Sequence, residues 1–421
     1  MRQLRPFLCA LLLTAACRTA GPPPEAAPAQ LGPYMEKART LLADPRVQEA
    51  FRDVERNGEA ILKEWTELTE INAPSGHEGA RASRVEALVR DLGVDEVRRD
   101  GVGNVIAIRR GTGRRETVVI DAHLDTVFQP GLKIEATVRD GNLYAPGVGD
   151  DTRNIEAMLA SIRALNAAKI RTSGDLLFLF TVEEENSFKG VNHFLAENKD
   201  KIAHFIALDG GYAGFTYGGL GIHWYKHHFI GPGGHTRSET PPYSATLPVA
   251  RSIERINRLK IPDDPPSHIN IGMLGGADVV NAKAADAWFT VDLRSTSNEV
   301  IADFERRIAA ILEEEARRTR TTVKTELISS KSAAQIPGHR FSPLILTAEA
   351  IHLALGFENP PIVPTASNHA SAALRAGLSA LSTGTAICHD AHAVTENCEI
   401  ATFAKGIQKL IALELALAGM E

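Results

Sequence analysis

The chain has little cysteine, few aromatics and no long run of one charge. Of four cysteines in 421 residues, Cys9 and Cys17 stand near the start, which leaves Cys388 and Cys398 to the rest. Those two form either one disulfide, across the segment that holds His392, or two buried thiols. Spacing does not choose between them, because it does not give the Cα separation that a disulfide needs. The formal net charge is −6 and no long basic run occurs, so neither nucleic acid nor an anionic membrane is the expected electrostatic partner. Small molecules or short peptides suit such a chain better. There is no internal repeat, and only a Pro-, Ala- and Gly-rich stretch near the N-terminus is low in complexity.

With 44% hydrophobic and 23% charged residues the composition is that of a soluble globular protein. A length of 421 residues suffices for two domains, since single cores rarely grow beyond roughly 250 to 300 residues. The first residues form an export signal: Arg2 and Arg5 precede the apolar run Phe7 to Leu13. The ending Leu13-Thr14-Ala15-Ala16-Cys17 resembles a bacterial lipoprotein processing site, which would make Cys17 the lipidated first residue of a mature, exported, periplasmic protein. A plain cleaved signal is the alternative. Contact with a membrane is expected only through that anchor. Residues 1–16 are thus expected to be signal and 17–33 a disordered tether. Loss of 1–16 removes two arginines and takes the charge from −6 to −8.

Beyond the tether, helix-period apolar positions run through 46–72 and end at the turn Asn72-Ala73-Pro74-Ser75-Gly76. A helix over 79–93, a strand over 102–108 and then alternating strands and helices to about 216 predict an α/β fold. Such alternation implies a mostly parallel sheet flanked by helices. Residues 219–331 read as an inserted smaller α+β unit, with strands near 222–230, 268–274 and 286–293 and helices over 247–259 and 298–318. The catalytic pattern therefore has two parts, 34–218 and 332–421.

Five metal-ligand types follow in order: His123, Asp150, Glu185, Asp209 and His392. Four of these stand after apolar runs that read as buried strands: Val118 to Ile120, Leu176 to Val182, Phe205 to Leu208, and Leu378 to Leu381. In open α/β sheets ligands bind at the strands' carboxyl ends, so these groups can meet there. Each has an ordinary reading when taken singly. His123 alone is a satisfied structural histidine, Asp150 a helix N-cap, and Glu183-Glu184-Glu185 a solvated acidic patch. All five at one sheet edge is another matter. Asp125, two residues beyond His123, can accept the imidazole's second proton and fix its tautomer. Of the neighbouring glutamates, one can bind metal while the other serves as general base. His389 rivals His392 for the last position.

The chain resembles the dinuclear zinc exopeptidases, which include peptidase T, glutamate carboxypeptidase, aminoacylase and succinyl-diaminopimelate desuccinylase. The resemblance runs from about residue 60 to the C-terminus. It rests on Ala73-Pro74-Ser75-Gly76, Asp100-Gly101-Val102-Gly103-Asn104, His123-Leu124-Asp125-Thr126-Val127, Asp150-Asp151, Thr181-Val182-Glu183-Glu184-Glu185, Leu208-Asp209-Gly210-Gly211, Gly275-Gly276 through Asn281, Val291-Asp292-Leu293-Arg294, and His392 to Glu396. It implies two zinc ions, with cobalt or manganese as substitutes. Asp150 would bridge them, His123 and Asp209 would hold one, and Glu185 and His392 the other. Glu184 would be the general base, and His235 the lid histidine that steadies the oxyanion, in dimeric members at the partner's site. Arg294 and Asn281 would hold substrate, although Arg294 also reads as a strand residue paired with Asp292. The insertion would be a lid and dimerisation domain.

Thr152-Arg153, Ser187 and Arg237 depart from the family's usual Lys-Gly, Gly and Gly. These differences touch pocket shape and spare the metal ligands. The expected activity is hydrolysis of short peptides, as an aminopeptidase or tripeptidase on the peptidase T side. An N-acyl-amino-acid amidohydrolase or carboxypeptidase is the near alternative, and a catalytically silent binding protein the distant one.

Overall fold

The computed structural model describes residues 29–113 and 117–421. The expected signal segment, Cys17 and the tether up to residue 28 lie outside the described residues. The tether ends earlier than expected, because Ala29–Leu31 is a 3-10 turn and Gly32–Ala43 a helix. Pro33 falls in that helix's first turn, where a missing N–H costs nothing, and Leu31 is buried. The helical stretch expected over 46–72 is two helices, Pro45–Arg56 and Gly58–Glu70, separated at Asn57.

The main sheet has eight strands in the order Glu96–Arg99, Val105–Arg109, Asp175–Thr181, Thr117–His123, Ile202–Leu208, Ala380–Thr383, Phe215–Thr216 and Ile362–Val363. The middle four run parallel, from Asp175–Thr181 to Ala380–Thr383. Successive residues of one strand enter different cores. Leu176, Phe178 and Phe180 pack with the helices Arg153–Ala167 and Ile400–Ala418, whereas Leu177 and Leu179 pack with Lys189–Asn198 and His369–Arg375. Burial on both faces explains why these strands are continuous apolar runs rather than alternating ones.

A small antiparallel sheet lies beyond the rim, in the order Cys388–His389, Asn397–Glu399, Asn142–Tyr144 and Thr137–Arg139. It was not legible in the sequence, and it joins the segment carrying His392 to the one leading to Asp150. Cys388 and Cys398 face each other across its first pair and form a disulfide.

Residues 221–331 build a separate five-stranded sheet. Its order is Ser267–Asn270, Asp286–Ser295, Gly221–Ile230 and Thr322–Lys331, with Leu274–Gly276 also paired to Asp286–Ser295. The helices Thr246–Asn257 and Asn298–Thr319 share with it a core that includes Phe229, Phe289, Phe304 and Leu312. The strand Thr322–Lys331 was not anticipated, since its mixed polar sequence shows no alternation that buries one face.

Candidate metal centre

The four parallel strands deliver their ends to one rim. His123 is the last residue of its strand, Glu183-Glu184-Glu185 follows Asp175–Thr181 by one residue, and Asp209 follows Ile202–Leu208 directly. His123 Nε2 lies 2.9 Å from Asp150 Oδ1, and His392 Nε2 lies 3.1 Å from both Asp150 Oδ2 and Glu185 Oε1. Donor atoms of His123, Asp150 and Glu185 fall within 4.8 Å of one another. Asp209 lines the same cleft of about 730 Å³, as do Asp150, Glu184, Glu185 and His392. Asp150 thus stands between two imidazoles, with one carboxylate oxygen turned to each. His389 points elsewhere, toward Glu399 at 3.3 Å.

Several backbones here adopt left-handed conformations that side chains disfavour: Glu183 at φ 55°, Phe188 at 58°, Asp390 at 58° and His392 at 68°. Such residues persist where the surroundings fix them, and they gather at functional sites. For two of them the fixing bonds are visible, since Glu183 N–H donates to Glu78 at 3.0 Å and Phe188 N–H to Glu183 O at 2.8 Å. Asp125 accepts hydrogen bonds from the backbone N–H of Glu184 at 2.9 Å and Glu185 at 3.0 Å, and from Ser75 Oγ at 2.6 Å. His123 Nδ1 faces Asp125 twice, its backbone oxygen at 3.1 Å and its Oδ1 at 3.3 Å. Asp125 thus faces the imidazole and also holds the backbone of both glutamates.

Two further carboxylates were missed by the sequence reading. Asp151 accepts from the His123 backbone N–H at 2.9 Å. Glu396, 1% exposed, accepts from the N–H groups of Gly147, Gly149 and Asp150, each at 2.7 Å. It ties the Asp150 loop to the segment that ends the His392 loop. Gly149 is required there, because a Cβ would come within 2.8 Å of both Cys388 and Glu396. A carboxylate inside a motif otherwise explained by His392 was the available signal.

The departures also acquire a reading. Arg153 lies beneath the cleft and donates to Gly210 O at 2.7 Å and Ala386 O at 3.0 Å, which pins the loop after Asp209. Thr152 Oγ1 bonds Thr69 Oγ1 at 2.6 Å. Ser187 Oγ donates to Glu183 at 3.1 Å.

The electrostatics are those of a cation site. Burial, reinforced by the charge of Asp150, pushes Glu185 up to about 7. Burial likewise raises Glu184 and Asp209. Burial opposes ionisation of Asp150, but the hydrogen bonds from His123 and His392 outweigh it and hold the group below the ordinary carboxylate range. The hydrogen bond to Asp150 raises His392 to about 9. Crowded carboxylates short of positive charge, two imidazoles, and no thiol among the ligand atoms make a nitrogen and oxygen donor set that fits zinc.

The inserted unit contributes unevenly. Arg294 lines the cleft, with its Nε held by Asp292 at 3.1 Å. His235 and Asn281 do not line it. His235 belongs to the short pair Gly234–His235 and Ala282–Lys283, and Asn281 directly precedes its second strand, where Thr236 N–H donates to Asn281 O at 3.2 Å. His235 is exposed there, with its Nδ1 accepting from Arg237 N–H at 3.1 Å.

Paired imidazoles and carboxylates along the carboxyl rim of a parallel sheet are the frame of a metal-dependent hydrolase. The chain belongs to peptidase family M20/M25/M40, whose model matches residues 119–414. It is 30% identical over 145 residues to the uncharacterized protein YqjE of Bacillus subtilis, a match covering 32% of this chain and 38% of that one. The chain thus spans well under half the length of that relative. It is 25% identical over 290 residues to carboxypeptidase G2 of a Pseudomonas species, covering 66% of this chain and 69% of that protein. Among solved structures, the aminopeptidase PepT of Bacillus cereus matches with a TM-score of 0.75 at 20% identity, over 86% of this chain and 99% of that one. A tripeptidase of Staphylococcus aureus matches with a TM-score of 0.75 at 21% identity, over 85% and 97%.

Proposed function

We propose that this protein is a two-zinc exopeptidase that cleaves short peptides, as an aminopeptidase or tripeptidase. The observation that carries the reading is Glu184: buried at 8% exposure, it lines the cleft beside the ligand cluster, and its carboxylate makes no hydrogen bond within the described residues. Its neighbour Glu185 is engaged by His392, which leaves Glu184 for proton transfer. Asp150 would bridge, with His123 and Asp209 on one side and Glu185 and His392 on the other.

When bound, zinc would acidify the attacking water and polarise the scissile carbonyl. Glu184 takes the proton of that water and passes it to the leaving amine nitrogen. Asp125 holds the backbone of Glu184 and the ring of His123 in register for this transfer. His235 donates to the developing oxyanion after the inserted unit closes, or in the cleft of a second copy in a homodimer. Its exposure and separation from the cleft in one chain suit that arrangement. Arg294 and Asn281 position the substrate. The N-terminal segment supports export and anchoring through Cys17.

Asp209 favours the aminopeptidase side, because the family's acylases and carboxypeptidases tend to carry glutamate there. The likeness to carboxypeptidase G2 favours the second reading, a carboxypeptidase or N-acyl-amino-acid amidohydrolase. Zinc-loaded protein assayed on free-amine and N-blocked di- and tripeptides separates them. The expected result is chelator-sensitive cleavage of the free-amine set; cleavage of the blocked set alone overturns the first reading.

A further inference from the structure

Two basic side chains, Arg294 and Lys331, line the cleft. They differ in what they already hold. Arg294 is balanced by Asp292 at 3.1 Å. The Lys331 ammonium makes no hydrogen bond or ion pair among the described residues; it instead stands 3.5 Å from the ring centroid of Phe188. Phe188 is itself buried and held in a left-handed conformation, so this platform is fixed. Lys331 closes the strand Thr322–Lys331 and pairs with Ile222 at the start of Gly221–Ile230, where the inserted sheet joins the catalytic rim. Ile222, Trp224 and Ser329 line the same wall.

An ammonium that has lost part of its hydration and has no acid at contact distance is expensive to keep, and a cation–π contact returns only about 0.5 to 2 kcal/mol. A ligand anion would complete the site. Glu184 is the nearby acid whose charge Lys331 feels, but it lies beyond ion-pair distance.

We propose that Lys331 is the carboxylate-recognition residue of this cleft, so that the preferred substrates are short peptides or N-acyl compounds with an anionic group directed at the wall formed by Lys331, Ser329 and Trp224. The assignment rests on the hydrolase reading above and adds a substrate class to it. It also places recognition on a residue outside the motifs that carry the family resemblance. The carboxylate comes either from an acidic side chain or from the peptide's own C-terminus, and isosteric amides tell these apart.

The test compares zinc-loaded wild type and Lys331→Met on tripeptides with glutamate or glutamine at one position, and with a free or amidated C-terminus. Wild type is expected to favour the carboxylate over its amide isostere in kcat/KM by at least about tenfold, the value of one charge-assisted contact. In Lys331→Met that ratio collapses toward one, for the side-chain pair or for the C-terminal pair, which names the source. Equal ratios in both proteins, or an equal loss on every substrate through Glu184, overturn the proposal. Glutarate binding by calorimetry to both zinc-loaded proteins is the second measurement. It decides even if no peptide is cleaved, an outcome that would count against the exopeptidase reading alone. About tenfold weaker binding by Lys331→Met supports the assignment, and equal affinity overturns it.

Discussion

The sheet rim and the inserted unit treat their functional groups in opposite ways. At the rim, His123, Asp150, Glu185 and His392, from stretches far apart in sequence, meet at about 3 Å because strands buried on both faces fix His123 and Glu185, while the small sheet and Glu396 fix the loops of Asp150 and His392. On the inserted unit, His235 sits on a two-residue ladder at the surface with Asn281 beside it, and nearby Val280 is 102% exposed. The rim is preorganised; the outer part of the insertion gains its partners only by moving or by meeting another molecule. Arg294 and Lys331 are intermediate, because they stand toward the strand ends that adjoin the rim.

The largest test of this contrast is Glu184→Gln. Turnover should fall by about 10² to 10⁴, the contribution of general base catalysis, with zinc content unchanged. Retained turnover would remove the base from the rim. Next is Glu396→Gln, which keeps one acceptor but loses the charge that gathers three backbone N–H groups. Zinc affinity should drop by about 10- to 100-fold, as for other groups that support metal ligands, and a competition titration with a chromophoric chelator reads it. An unchanged affinity would mean that the Asp150 loop is held by packing alone.

The smallest effects concern pH, and they run in opposite directions in the two regions. Burial pushes Glu414, beneath the main sheet, from 4.5 up to about 8. Its folded form keeps a proton that the unfolded chain releases, so its share of stability is complete below 4.5 and is lost as pH rises through about 8. Burial takes His227, in the inserted sheet, from 6.5 down to about 4. Its share is present above 6.5 and lost as pH falls through about 4. Urea midpoints of wild type and Glu414→Gln should diverge on the alkaline side. Midpoints of wild type and His227→Gln, followed by Trp224 and Trp288 fluorescence, should diverge on the acid side. Parallel curves for either pair would refute that assignment.

The rim was legible because a ligand that directly follows an apolar run has its position dictated by the strand before it. Glu185, Asp209 and His123 are of this kind. Asp151 and Glu396 were not legible as supports, since a carboxylate that collects backbone N–H groups looks in sequence like any polar loop residue. Lys331 was invisible for another reason. Its strand is polar on most positions and reads as a loop, and its meaning depends on Phe188, which lies well over a hundred residues earlier in the chain. His235 and Asn281 were recognisable by likeness, but their distance from the cleft is a property of the whole molecule.

The bond between Cys388 and Cys398 closes a ring around His392, so the placement of one proposed ligand depends on the redox history of the sample. Material folded in a reducing host would carry every donor yet leave one arm unfastened. Metal titrations on such material would then report thiol chemistry as much as zinc chemistry, and a free-thiol count belongs beside each affinity measured.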